Sequence, residues 1–316
     1  MQSIMNLGAD VDSRFVVVAC AADSFRPCRI GNERKALLTW LRTVPRGSRL
    51  AMESTGGHQD LLAELAYKTG LQVFVVNPRD LRRYAEGLGR RGKTDRMDAE
   101  VIARYVAREH GELHAYVPPT KSQRELAQLI RRRAKLVETK AAIEQSLRGL
   151  TGLHAQAKRL VTDIERLITR LELMMQRCLD KTPAAREAAQ RIATIPGFGP
   201  LGSTWLAHSF TRVPYTSSDA VVAASGLDPR PDDSGAKRGR RRLSKRGPAE
   251  ERRILFNCAR AAARTQLWRP YYEAQLAKGL SHTAAATILA RKMLRVAFAL
   301  YKNADAFNPC RIASRA

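Results

Sequence analysis

Over the first 118 positions, apolar residues alternate between strand-like runs and helical spacing. "LGADVDSRFVVVACA" reads as one valine-rich strand, with "SFRPCRI" as a candidate hairpin partner. "NERKALLTWLRTV" has helix spacing and an Asn at its start. "SRLAMEST" reads as a short strand running into "GGH", and "QDLLAELAYKTG" as a helix closed by Gly70. "LQVFVVNP" is a buried strand stopped by Pro78. In "KTDRMDAEVIARY", Met97, Val101, Ile102 and Tyr105 recur at helical spacing. Strands first, then a β-α-β-α order, predict a mixed sheet flanked by helices.

"VPPTKSQ" marks a boundary near residue 118. Beyond it Leu129, Leu136, Ile143 and Leu150 recur every seven residues. After a turn at "GLTG", a second stripe runs through Leu160, Ile164, Leu167, Leu171, Met174 and Cys178. The pattern predicts two long helices, paired as an antiparallel hairpin or as a coiled coil with another chain. Arg133 and Lys140 interrupt a second seam on the first helix. From about residue 186 the pattern is again mostly helical. "IATIPGFGPLGSTWLA" places a Pro-Gly-x-Gly turn between two helices. It suits either a helix-hairpin-helix phosphate contact or a tight connection. "PAEERRILFNCARAAART" and "SHTAAATILARKMLRVAFALYK" are the last two predicted helices.

Charge changes the picture. The 316 residues include 55 Lys and Arg against 30 Asp and Glu, a net charge of +25 that points to a polyanionic partner, most simply nucleic acid. Its densest stretch, "KRGRRRLSKR", carries seven cations and no acid. Lys237, Arg238, Arg240, Arg241, Arg242, Lys245 and Arg246 are therefore candidate nucleic-acid contacts, with Arg90, Arg91 and Lys93. The apolar runs are strand-sized, so neither a membrane span nor a secretory signal is expected. Cys20, Cys28, Cys178, Cys258 and Cys310 are scattered without CxxC spacing. They read as reduced core residues of a cytosolic protein.

Against this basic background four acids stand out. Asp10 lies in the first strand and Glu53 near the end of "RLAMEST", where acids are disfavoured unless paired or bound to a cation. Asp12 is a rival to Asp10, because two residues along a strand returns to the same face. Asp95 and Asp98 sit one turn apart at a helix start, where acids also simply complement the helix dipole. Carboxylates distributed strand, strand, helix, helix suit a pair of hard divalent cations clamping a phosphoryl transfer, the arrangement of ribonuclease-H-like nucleases.

"LGADVDS", "AMESTGGH", "VNPRDLRRYAEGLGRRGKTDRMDAEVIARY", "IPGFGPLGS", "ASGLDPR" and "SGAKRGRRRLSKRG" occur in this order along nearly the whole chain. Together they resemble the DEDD insertion-sequence transposases (insertion-sequence family one-ten, which includes the pilin-gene invertases). The chain departs from the family in its first motif, "DVDS", and in an unusually arginine-rich loop. The resemblance implies an α/β plus α architecture: a RuvC-like, ribonuclease-H-like domain over 1–118, a coiled-coil helical hairpin over 119–185 and a mainly helical transposase domain over 186–316. It implies that Asp10, Glu53, Asp95 and Asp98 hold Mg²⁺ or Mn²⁺, and that a serine attacks DNA. Ser234, in "DDSGAK" with cations close by, is the favoured nucleophile and Ser244 the other candidate. It further implies a guide RNA encoded by the element, called bridge or seeker RNA, that pairs with donor and target double-stranded DNA. A homo-oligomer (dimer, or tetramer as a dimer of dimers) in the bacterial cytoplasm completes the expectation. The competing expectation is a junction nuclease that uses the carboxylates and water alone.

Overall fold

The computed structural model describes residues 4–22, 25–54, 56–89, 94–230, 239 and 241–310. The chain forms two compact units, residues 1–118 and 119–316.

The first unit is built on a five-stranded sheet of β1 (Asn6–Val11), β2 (Phe15–Cys20), β3 (Cys28–Gly31), β4 (Arg49–Glu53) and β5 (Gln72–Val76). Its order is β3-β2-β1-β4-β5, with β1, β4 and β5 parallel and β2 antiparallel to both β1 and β3. The valine-rich segment expected to be one strand is thus a β1–β2 hairpin. The reversal at Asp12–Arg14 is local: Ser13 N–H donates to the Asp12 carboxylate, and Asp12 N–H to the Phe15 carbonyl at 2.9 Å. A short polar side chain bonding its own backbone makes a turn without Gly or Pro. "CRI" pairs as expected, but with β2.

One face of the sheet packs Leu7, Ala9, Val11, Val16, Val18, Leu50, Met52 and Val73 against α1 (Arg34–Leu41) and α2 (Asp60–Lys68). Asn32 does not cap α1. Its amide donates to the carbonyls of Asp12 and His58 instead. Pro78 opens α3 (Pro78–Gly87) rather than only ending β5, and the Asn77 side chain caps that helix by accepting from Arg79 N–H at 2.9 Å. On the opposite face Ala51, Phe74 and Val76 pack with Leu81 of α3 and with Ile102 and Val106 of α4 (Asp95–Glu109). Gly8 lets α4 approach this far: a β-carbon there would lie 2.2 Å from Ala103 N and from Ala99 O. Helix and strand backbones touch at that point, and any side chain would push them apart.

The second unit begins with α5 (Lys121–Ser146), whose N-terminus carries a reciprocal capping box between Thr120 and Gln123, and α6 (His154–Asp180). The two pair as an intrachain hairpin. The residues expected to break the seam bridge it instead: Arg133 Nε meets Glu172 at 2.7 Å, and Lys140 pairs with Glu165. Burial along the apolar stripes is concentrated at the hairpin's base, where Leu126, Leu129, Ile130, Met175, Cys178 and Leu179 join the core, with Ile164 also buried farther along α6. Leu136 and Ile143 are half-buried, while Leu150, Leu160, Leu167 and Met174 are exposed.

That base joins a helical core formed by α7 (Pro183–Ala193), α8 (Pro200–Arg212), α9 (Ser218–Ser225), α10 (Ala249–Ala262), α11 (Arg269–Ala277) and α12 (His282–Asn303). The final region therefore has three helices where two were expected; "RPYYEAQLA" forms the extra one. Trp268, fully buried, donates its indole N–H to the Pro196 carbonyl at 3.0 Å. This ties down the Pro-Gly-x-Gly turn, where Gly197 (φ +102°) lies against Ala262. A two-stranded ribbon, β6 (Pro229–Arg230) and β7 (Arg242–Leu243), projects between α9 and α10. Cys178 and Cys258 are buried, but Cys310 is exposed rather than in the core. No helix among the described residues is long and apolar enough to cross a membrane.

Candidate active site

Parallel pairing of β1 with β4 matches Gly8 to Ala51 and Ala9 to Met52. One residue further along each strand come Asp10 and Glu53, neighbours at the strands' C-terminal ends. Because side chains alternate, Asp10 shares a face with Gly8, and Glu53 with Ala51. This is the face on which α4 packs. Asp95 and Asp98 occupy the first turn of α4, immediately N-terminal to the Ala99–Ala103 contact with Gly8. The Thr94 side chain caps that turn by accepting from Met97 N–H at 3.2 Å. Asp10, Glu53 and Asp98 are half-buried and Asp95 is exposed.

The expected carboxylates thus come from two adjacent strand ends and from a helix start clamped to the same sheet face. The all-oxygen donor set suits a hard divalent cation. The side chains themselves do not close around one: among the described residues no group of three or more His, Cys, Asp or Glu is placed to hold a metal ion. Asp12, the rival to Asp10, is fully exposed in the β1–β2 turn. Its carboxyl is held below the ordinary range chiefly by the Ser13 backbone hydrogen bond. It is occupied with shaping the turn.

In the second unit Ser234, Lys237, Arg238 and Arg240 lie outside the described residues, as do Arg90, Arg91 and Lys93 in the first. Arg241, Arg242, Lys245 and Arg246 are exposed on and beside the ribbon. Ser244, by contrast, is 8% exposed and donates its hydroxyl to the Asp228 carboxylate. The sequence offers Ser244 as the other candidate nucleophile and carries no local sign of this carboxylate partner.

The most perturbed acid resolved in this unit is one that sequence reasoning passed over. Glu251, in the first turn of α10, is 7% exposed. Burial pushes its carboxyl up to about 7, against a hydrogen bond from Trp205 and the charge of Arg252. The group protonates more readily folded than unfolded, where 4.5 applies. Its contribution to stability is therefore complete below pH 4.5 and is lost as pH rises to about 7. The cost of ionisation reaches about 3 kcal/mol. Glu251→Gln keeps an acceptor for the indole and removes the ionisation. Denaturant unfolding should show it more stable than the parent at pH 8 by up to that amount, with the gap closing by pH 5. A constant difference between those pH values would show that Glu251 does not titrate in this range. His208, pushed down to about 4 by burial, acts at the acid end: its stability is lost as pH falls from 6.5 towards 4 in both proteins, so it cancels from the comparison.

Residues 8–154 match a family model described as a transposase, of the DEDD type, and residues 189–273 match one described as the transposase IS116/IS110/IS902 family. A pilin gene-inverting protein from Moraxella bovis is 25% identical over 96% of this chain and 97% of its own length. The transposase for insertion sequence element IS1328 from Yersinia enterocolitica is 28% identical over 87% of this chain and 90% of its own. The transposase for element IS1111A from Coxiella burnetii is 26% identical over 84% and 79%.

Proposed function

The chain belongs to the IS110 family of insertion-sequence transposases, enzymes that cut and rejoin DNA, and on that premise we propose an RNA-guided DNA recombinase with a serine nucleophile. The observation that carries the reading is the register of β1 and β4, which makes Asp10 and Glu53 neighbours on the face that carries the Asp95–Asp98 turn. The strand order, with β2 antiparallel, supports describing the first unit as RuvC-like.

Asp10, Glu53, Asp95 and Asp98 would hold Mg²⁺ or Mn²⁺. A cation bound there supplies Lewis-acid stabilisation of charge on phosphate oxygens. Ser234 is the nucleophile. Its oxygen forms a bond to phosphorus, the bond from phosphorus to the leaving sugar oxygen breaks, and that oxygen takes up a proton as the serine hydroxyl loses one. The phosphodiester energy is kept in the serine–DNA ester for rejoining to a new end. Lys237, Arg238, Arg240, Arg241, Arg242, Lys245 and Arg246, with Arg90, Arg91 and Lys93, neutralise the nucleic-acid backbone. Relatives named for gene inversion and for transposition fit one chemistry applied to differently arranged ends.

The partners in this reading are an element-encoded guide RNA, donor and target duplexes, and further copies of the chain. Exposed Leu150, Leu160, Leu167 and Met174 on the hairpin support self-association. The deciding experiment traps the protein–DNA intermediate and maps the modified peptide, while RNA that co-purifies is sequenced. A nucleotide on Ser234 and an RNA with two loops matching donor and target are expected. A cleavage reaction that leaves no covalent adduct hands the case to the hydrolytic junction nuclease.

A further inference from the structure

We propose that the surface where α12 meets the root of the ribbon is a docking face for the phosphate backbone of duplex DNA, formed by Arg291, Lys292 and Arg295 with Lys245 and Arg246. The inference extends the ribbon's cations onto a helix that the sequence did not mark as a contact. It needs only that the chain acts on DNA, as its family does, and not the serine chemistry.

Packing brings these charges together from distant parts of the chain. Lys245 N–H donates to the Gly226 carbonyl at 3.1 Å, and a β-carbon on Gly226 would lie 2.7 Å from Arg246 N. The next carbonyl, that of Leu227, accepts from Arg291 Nε at 3.0 Å. Arg291 therefore stands beside Lys245 and Arg246. On the same helix, Lys292 Nζ lies 5.5 Å from the centroid of the Tyr271 ring of α11. Arg295 donates to one carboxylate oxygen of Asp219 through Nε at 3.3 Å and Nη2 at 2.8 Å.

A carbonyl and an aromatic ring hold Arg291 and Lys292 in place without cancelling their charge. Burial and the like charge of Arg295 hold the Arg291 guanidinium below its ordinary value, with Tyr271 and Asp228 acting in the opposite sense. Like charges one turn apart on a helix repel, and a phosphate seated between them removes that repulsion. The hairpin shows the alternative. There Arg133, Lys140 and Arg166 meet Glu172, Glu165 and Asp163, so these charges are compensated within the chain. Spacing fits the occupant as well. Arg291 and Arg295 are about 6 Å apart along the helix axis, close to two steps of roughly 3.4 Å along one DNA strand. Exposed Lys245 and Arg246 continue the face onto the ribbon.

The full-length protein, with the RNA it retains, is titrated with two labelled duplexes over a range of salt concentrations. One duplex carries the ends of its own element and the other is of unrelated sequence. Lys292→Gln and Arg291→Gln are compared with Arg166→Gln, which removes the same charge from an exposed site on the hairpin. Each of the first two should weaken binding to both duplexes alike at low salt. Each should also lower the slope of log affinity against log salt by about 0.9, the value for one phosphate contact on B-DNA. Arg166→Gln should keep the parent slope. Arg291→Gln also loses the bond to Leu227, so Lys292→Gln, which leaves that anchor intact, decides the case if Arg291→Gln melts lower. Equal slopes for Lys292→Gln and Arg166→Gln would overturn the proposal. So would a loss confined to the element's own ends, or RNA lost from the complex while duplex binding stands, which would make this face an RNA contact. Cleavage without a covalent adduct removes the serine nucleophile and leaves these slopes untouched, so the two readings fail separately.

Discussion

Asp10→Ala, Glu53→Ala, Asp95→Ala and Asp98→Ala should each abolish strand cleavage while leaving nucleic-acid binding largely intact. The expected loss is on the order of a thousandfold or more, since metal-assisted stabilisation of phosphoryl charge is worth several kcal/mol. Binding survives because the phosphate-neutralising charges are the lysines and arginines. Residues kept only for the fold would instead leave cleavage standing and lower the melting temperature. Chelation should reproduce the four substitutions in the parent. Near-normal cleavage by any two of the variants would dismantle the shared site. Asp12→Ala is the control. It loosens the β1–β2 turn and should leave cleavage standing.

The second large effect is at the proposed nucleophile. Ser234→Ala should bind RNA and both duplexes normally, yet form no covalent adduct and no recombinant. The change deletes one hydroxyl and should hardly affect folding. Ser244, ten positions on, is buried and bonded to Asp228. Nicked product without adduct from Ser234→Ala would mean that water attacks and that the carboxylates suffice. A nucleotide mapped to Ser244 would require the Asp228 hydrogen bond to break and the hydroxyl to become exposed during the reaction. Gel analysis of denatured, end-labelled complexes distinguishes these outcomes directly.

Thr94 and Thr120 cap helices because a short hydroxyl beside a helix start reaches back to the backbone, a local effect that the apolar pattern does not report. Asp10 and Glu53 stood out as acids in apolar strands, while Asp95 and Asp98 suited a helix dipole equally well and joined the set through the family resemblance. Alternation of apolar positions predicted the buried strands, yet it merged β1 with β2, because the turn between them has no Gly or Pro and depends on one Asp side chain. Heptad spacing predicted the α5–α6 pair but gave no sign of where its burial ends. Leu129 is in the core and Leu150 in solvent, though both obey the same period.

What only the tertiary structure decided is the set of contacts between residues far apart in sequence. Strand pairing across a crossover makes Asp10 and Glu53 neighbours, and the backbone contact at Gly8 holds the Asp95–Asp98 turn over their face. Burial turns Glu251 into an acid that titrates near 7, although in sequence it is one more charge at a helix start. The carboxylate partner of Ser244 follows the same rule: Asp228 lies at the other leg of the ribbon, sixteen residues away. Periodicity and composition report the preferences of a segment, whereas register, close approach and desolvation depend on which segments meet. The sequence by itself determined which side chains were available for phosphoryl chemistry, and packing determined which of them stand together.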